Sequence, residues 1–170
     1  MIILLSLLSS AFFSGMEIAY VSSNRLNLEI EKKQKGLITK LLSIITNDPS
    51  RFISTMLIGN SFALVIYGLF MGQFIVDNLS FLFLPSMNEL TILLLQTIIS
   101  TSLILIAAEF IPKVLFQIYS NLSMKIFSIP AFIFYVILYP ITSLVTITSN
   151  FILKTFFKVT NQESEFSFSK

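Results

Sequence analysis

Ile106-Ala107-Ala108-Glu109-Phe110-Ile111-Pro112-Lys113 is the stretch whose reading decides the fold. Glu109 lies about twenty residues into an apolar run that begins near Leu90. A carboxylate at membrane depth costs about 3 kcal/mol on insertion scales, and such a residue marks a substrate or ion pathway by default. Outward from it, Glu17 interrupts the first apolar run and Asn60 the second. Polar positions in separate apolar segments point to one shared intramembrane site.

The rest of the composition agrees with a membrane setting. Of 170 residues 55% are hydrophobic and 12% charged, with mean hydropathy +0.86. Soluble domains carry about 25% charged residues, so the chain reads as an integral membrane protein. A net charge of +2 is too small to argue for a nucleic-acid partner. Without cysteine there is neither a disulfide framework nor a thiolate metal site. Without histidine the commonest transition-metal ligand is missing too. Any metal must be held by oxygen, which favours hard cations such as Mg²⁺.

Four apolar stretches meet or approach the requirement of about 20 residues per span. Residues 1–23, 52–76 and 90–118 read as transmembrane helices. The N-terminus has no basic region and no small-x-small cleavage site, so it reads as a retained helix rather than a removed signal peptide. Between the first two spans, residues 24–50 alternate Leu26, Leu28, Ile30, Leu37, Ile38, Leu41, Leu42 and Ile45 with charged residues. That pattern predicts two short amphipathic juxtamembrane helices broken near Lys35-Gly36. Asn47-Asp48-Pro49-Ser50 is a turn that can start the second span.

Orientation follows from basic residues. Arg25, Lys32, Lys33, Lys35, Lys40 and Arg51 fall in the first connection, and the second, Asp77 to Glu89, contains none. The positive-inside rule then places the first connection in the cytoplasm and the N-terminus outside, in the plasma membrane. Residues 121–158 form the fourth apolar stretch, and if they crossed, Lys154 and Lys158 would be external against that bias. The stretch also contains Pro130 and Pro140, each of which removes a helical hydrogen bond. The expected fold is therefore all-α: three transmembrane helices, cytoplasmic-side juxtamembrane helices, and a proline-broken segment that is re-entrant or in-plane. Residues 1–160 make one transmembrane domain, and 161–170 read as a polar linker to a cytoplasmic domain beyond it.

The polar positions fall at similar depth. At about 1.5 Å rise per residue, Ser14 and Glu17 lie about 12–17 Å from Arg25, Asn60 about 13 Å from Arg51, and Glu109 about 6 Å from Lys113. All are in the cytoplasmic half and can meet. Glu109 supplies a charge, Asn60 an amide oxygen, and Ser14 and Thr55 hydroxyls. Gly59 allows close approach to the backbone, and Pro112 frees the Ala108 carbonyl four residues back. Secondary transporters place ions beside such broken helices. Plainer readings exist for each residue. Glu109 and Lys113 can form an interfacial ion pair, Glu17 can bond nearby hydroxyls or pair with a basic residue at the surface, and Asn60 or Ser14 with Gly15 can be helix-packing contacts.

Phe12-Phe13-Ser14-Gly15-Met16-Glu17-Ile18-Ala19, Leu57-Ile58-Gly59-Asn60 and Glu109-Phe110-Ile111-Pro112-Lys113 occur in this order along the chain. Together they resemble the membrane domain of the CorB/CorC and cyclin M (CNNM) magnesium transporters, also described as hemolysin-related proteins. The resemblance implies a homodimer, export of Mg²⁺ coupled to Na⁺ influx, and a downstream cytoplasmic pair of CBS domains that binds ATP. It carries the family's ion site onto Ser14, the Gly59 carbonyl, Asn60 and Glu109, with a hydroxyl from the Thr55 region. The chain departs from the family pattern at Met16, where a second serine is frequent, and at Ser61, where a second asparagine is. Met56 likewise offers no hard ligand.

Two functions compete at this stage. One is a Mg²⁺ exporter membrane domain working by alternating access. The other is a non-transporting scaffold or regulatory subunit, such as an accessory to secretion or motility, with structural intramembrane carboxylates. No nucleophile–base pair or cofactor motif points to an enzyme, and no repeated filter segment points to a channel.

Overall fold

A computed structural model describes residues 1–24, 36–78 and 88–157. The described residues are helical almost throughout, and three helices are long and apolar enough to cross a membrane. Helix α1, Ile2–Ser22, is a continuous apolar run interrupted by hydroxyl residues and Glu17. Its 21 residues correspond to about 32 Å, close to the hydrocarbon thickness.

The next described helix, α2, covers Leu37–Asn47 and is amphipathic as expected. Leu42, Ile45 and Thr46 are buried while Leu37 and Lys40 face outward. The expected first juxtamembrane helix lies mostly outside the described residues, as do the linker residues 161–170. Helix α3, Pro49–Asn78, begins at the predicted turn. The Asp48 carboxylate accepts the Arg51 N–H at 3.0 Å, and Pro49 takes the first position, where its missing N–H has no partner to lose.

The third span is composite. Helix α4, Glu89–Leu103, leads into a π-helical segment, Ile104–Phe110, and then helix α5, Ile111–Ile118. No residue of α4 is buried. Leu90, Leu93, Leu94 and Ile98 are each at least 59% exposed, a surface that only a lipid environment solvates well. The chain is thus a multi-pass membrane protein.

The proline-containing segment is broken, but not at its prolines. Helices α6, Ser120–Ile126, and α7, Ser128–Ile137, meet at a 65° bend, and α8 runs Tyr139–Phe157. The breaks fall at Phe127 and Leu138, so that Pro130 and Pro140 sit in the first turn of the helix that follows each break. First-turn N–H groups lack intrahelical acceptors, so proline there starts a helix rather than kinking one.

Helix α1 is the organising element. It packs along α3 and against the π segment, α5 and α6. Its end is tied to α6: Ser120 Oγ donates to the Ser22 carbonyl at 3.3 Å, and the Asn24 N–H donates to Asn121 Oδ1 at 3.2 Å. Buried apolar residues form two clusters along the α1–α3 interface. One joins Phe13, Met16, Phe52 and Met56 to Leu42, Ile45, Met124 and Tyr135; the other joins Tyr67, Met71 and Ile75 to Ile3, Leu7 and Leu103. The polar pair Ser10 and Asn60 falls between them in sequence on both helices.

Candidate intramembrane ion site

Small residues let the helices close around this polar level. A Cβ at Gly15 would come within 2.7 Å of the Phe116 ring, and one at Gly59 would run into the Phe13 ring. Both glycines are therefore packing positions, where membrane helices gain dispersion contact by bringing backbones together. Phe13 is held in turn by Phe12 and Phe134, at ring-centroid distances of 5.3 and 4.8 Å. An apolar cavity of about 390 Å³ opens beyond Phe13 and Gly59, bounded by Phe62, Ala63 and Phe134. Its lining has few oxygen atoms to offer a cation.

Each expected ligand has a defined place. Ser14 is fully buried, and its Oγ has no hydrogen-bond partner among the described residues. Thr55 is also fully buried and donates to the Arg51 carbonyl at 2.8 Å, which leaves its oxygen able to accept. Asn60 Oδ1 accepts a 2.6 Å hydrogen bond from Ser10 Oγ. Ser10 is buried and was not singled out among the candidate ligands. Its signal was the spacing Ser6, Ser10, Ser14, Glu17, which lies on one helical face.

Glu109 is part of the π-helical segment, and its Oε2 lies 3.5 Å from Lys113 Nζ. The plainer ion-pair reading is thus present. Glu17 lies within electrostatic reach of both, attracted by Lys113 and repelled by Glu109. Among the described residues no hydrogen bond joins Glu109 to Ser14, Thr55 or Asn60. Nor do the described residues hold a group of three or more acidic side chains. Most donors to any cation here are neutral oxygens.

Pro112 acts differently from the simple four-back rule. The Ile111 N–H bonds to Ile106, five residues back. Pro112 has no N–H, so the Ala107 carbonyl receives a donor from neither residue. Ala108 loses the donor that an α-helical register would take from Pro112. The wider turn therefore leaves the Ala107 carbonyl without either donor, in the helix turn that carries Glu109. Wide turns of this type concentrate at functional sites. Met16 and Met56 are fully buried in the core, and Ser61 Oγ is spent on the Leu57 carbonyl at 2.9 Å on an exposed face. None of these positions supplies a further oxygen to the interior.

The whole chain, residues 1–170, matches the family model described as the cyclin M transmembrane N-terminal domain. The chain belongs to this family. It is also 28% identical over 156 residues to the UPF0053 protein MG146 of Mycoplasma genitalium, an alignment covering 86% of the chain and 35% of that protein. The chain thus spans about a third of that relative's length. In this cyclin M domain the three motif-bearing segments fall on α1, α3 and the π-helical turn of the third span.

Proposed function

We propose that this chain is the ion-translocating membrane domain of a Mg²⁺ transporter, exporting Mg²⁺ in exchange for Na⁺ by alternating access. The cation is held by Glu109, Asn60, Ser14 and Thr55 with backbone oxygen from Gly59 and the Ala107–Ala108 turn. The protein works as a homodimer with its N-terminus outside, and an ATP-binding CBS-domain pair follows in the cytoplasm. What supports this reading best is Ser14. A buried hydroxyl left without a partner costs about 1–3 kcal/mol, and membrane interiors offer no water to relieve it. A cation ligated there removes that cost. An oxygen-only set with one or two carboxylates suits a small hard ion.

The test is flux. Vesicles containing the full-length protein, loaded with Mg²⁺, are expected to release it when Na⁺ is supplied outside and to release much less without that gradient. Release equal to that of protein-free vesicles would sink the proposal. It would favour the second reading, a membrane scaffold, which the Glu109–Lys113 ion pair supports on its own.

Ser14 provides a sharper expectation of opposite signs. Ser14→Ala is expected to raise the thermal stability of the ion-free protein, because it deletes an unpartnered buried hydroxyl worth about 1 kcal/mol or more. The same change is expected to weaken the Mg²⁺-dependent stabilisation seen in a thermal melt. A loss of stability in both conditions would show that the hydroxyl is satisfied in the resting protein and is structural.

A further inference from the structure

Glu109, Lys113 and Glu17 form a charged triad that ligation alone does not explain. Lys113 Nζ is 3.5 Å from Glu109 Oε2, within a single helical turn of the third span. Helix α1 packs closely on α5 here, the Phe116 ring lying against Gly15, two residues before Glu17. The two carboxylates repel each other, and each is attracted to the one ammonium. All three side chains are incompletely buried. Lysine carries its charge on a flexible four-carbon stem and exchanges partners with little reorganisation. A cation that takes Glu109 must first displace this ammonium, and among the described residues Glu17 is a second carboxylate that attracts it.

We propose that Lys113 is a positioning residue that neutralises Glu109 in the cation-free protein and passes to Glu17 when a divalent cation occupies Glu109. This rests on reading Glu109 as a ligand. In the resting state the ammonium keeps two carboxylates from facing each other unscreened in a low-dielectric setting, where their repulsion is costly. In the occupied state Glu17 receives the displaced ammonium, so it is not pushed back against the bound cation. Lys113 thereby acts as a tethered competitor. It weakens the hold on the cation and allows release, which conduction through a carrier requires as much as binding. Glu17 sets how easily the exchange proceeds without itself touching the ion.

The experiment measures Mn²⁺ binding to the full-length protein in nanodiscs, from the resonance signal of free Mn²⁺ at low ionic strength. Lys113→Met is expected to tighten binding about threefold to fivefold, the effect of removing a partly exposed charge pair. Lys113→Arg is expected to stay within about twofold of the wild type, since the charge is kept. Glu17→Gln is expected to weaken binding several-fold in the wild type and to have a smaller effect in the Lys113→Met background, because no ammonium then needs a new partner. If Lys113→Met does not fold, Lys113→Gln is read the same way. Binding that depends on Glu109 but is unchanged or weakened by both lysine substitutions overturns the exchange while leaving the ligand role of Glu109 intact. Binding unaffected by Glu109→Gln overturns both.

Discussion

Glu109→Gln is expected to bring Mg²⁺ efflux from loaded vesicles down to the level of protein-free vesicles. The substitution keeps shape and hydrogen-bonding capacity but removes the formal charge that a hard cation needs. It also leaves Lys113 beside a neutral amide in place of a carboxylate, so that a positive charge remains next to the site. Both side chains are partly exposed, 44% for Lys113 and 29% for Glu109, so water screens the pair itself. The larger effect is loss of the charged ligand, since ligand charge count tunes the affinity of a hard-cation site. A structural ion pair would respond differently. Glu109→Gln would then lower the melting temperature and leave the flux per folded molecule unchanged.

The second large effect is steric. Gly59→Ala is expected to destabilise the protein by about 1–3 kcal/mol, and Gly59→Leu by more, because the added carbon meets the Phe13 ring. That ring has little freedom to move: Phe13 is only 4% exposed and contacts Phe12 and Phe134 edge-on. Gly68 is the control on the same helix, since a Cβ there meets nothing within 4 Å. Gly68→Ala is expected to be neutral or stabilising by up to about 1 kcal/mol through helix propensity alone. Thermal melts in one detergent compare the two directly. Equal responses would mean that helix propensity, not the α1–α3 contact, governs Gly59.

The spans were legible because each is a long apolar run with at most two charged residues, and lipid admits only helices for such runs. The predicted boundaries 1–23, 52–76 and 90–118 differ from Ile2–Ser22, Pro49–Asn78 and Glu89–Ile118 by at most three residues. Helix α2 was legible from its alternation, and the start of α3 from Asp48-Pro49. The π-helical turn was not legible. Its residues Ile104 to Phe110 are ordinary helix formers, and a one-residue widening leaves no mark on hydropathy. Only Pro112 hinted at it, and the four-back rule then named Ala108 without Ala107. Nor could Pro130 and Pro140 alone distinguish a mid-helix kink from a first-turn start, since the breaks themselves lie at Phe127 and Leu138, residues with no turn chemistry.

Ser10 teaches a different lesson. Depth estimates brought Ser14, Asn60 and Glu109 to a common level, but they treat each helix as a rod and ignore which side of it faces inward. The four-residue spacing of Ser6, Ser10 and Ser14 carries that information, and it identifies the face on which Ser10 meets Asn60 at 2.6 Å.

A high-resolution structure of the full-length protein in Mg²⁺ tests this account most directly. The expected result is an ion bound at about 2.0–2.1 Å by the Glu109 carboxylate and Ser14 Oγ, with Asn60 turned toward it and Lys113 moved from Glu109 to Glu17. Glu109 still paired with Lys113, Ser14 Oγ in contact with protein atoms alone, and no ion between them would contradict it.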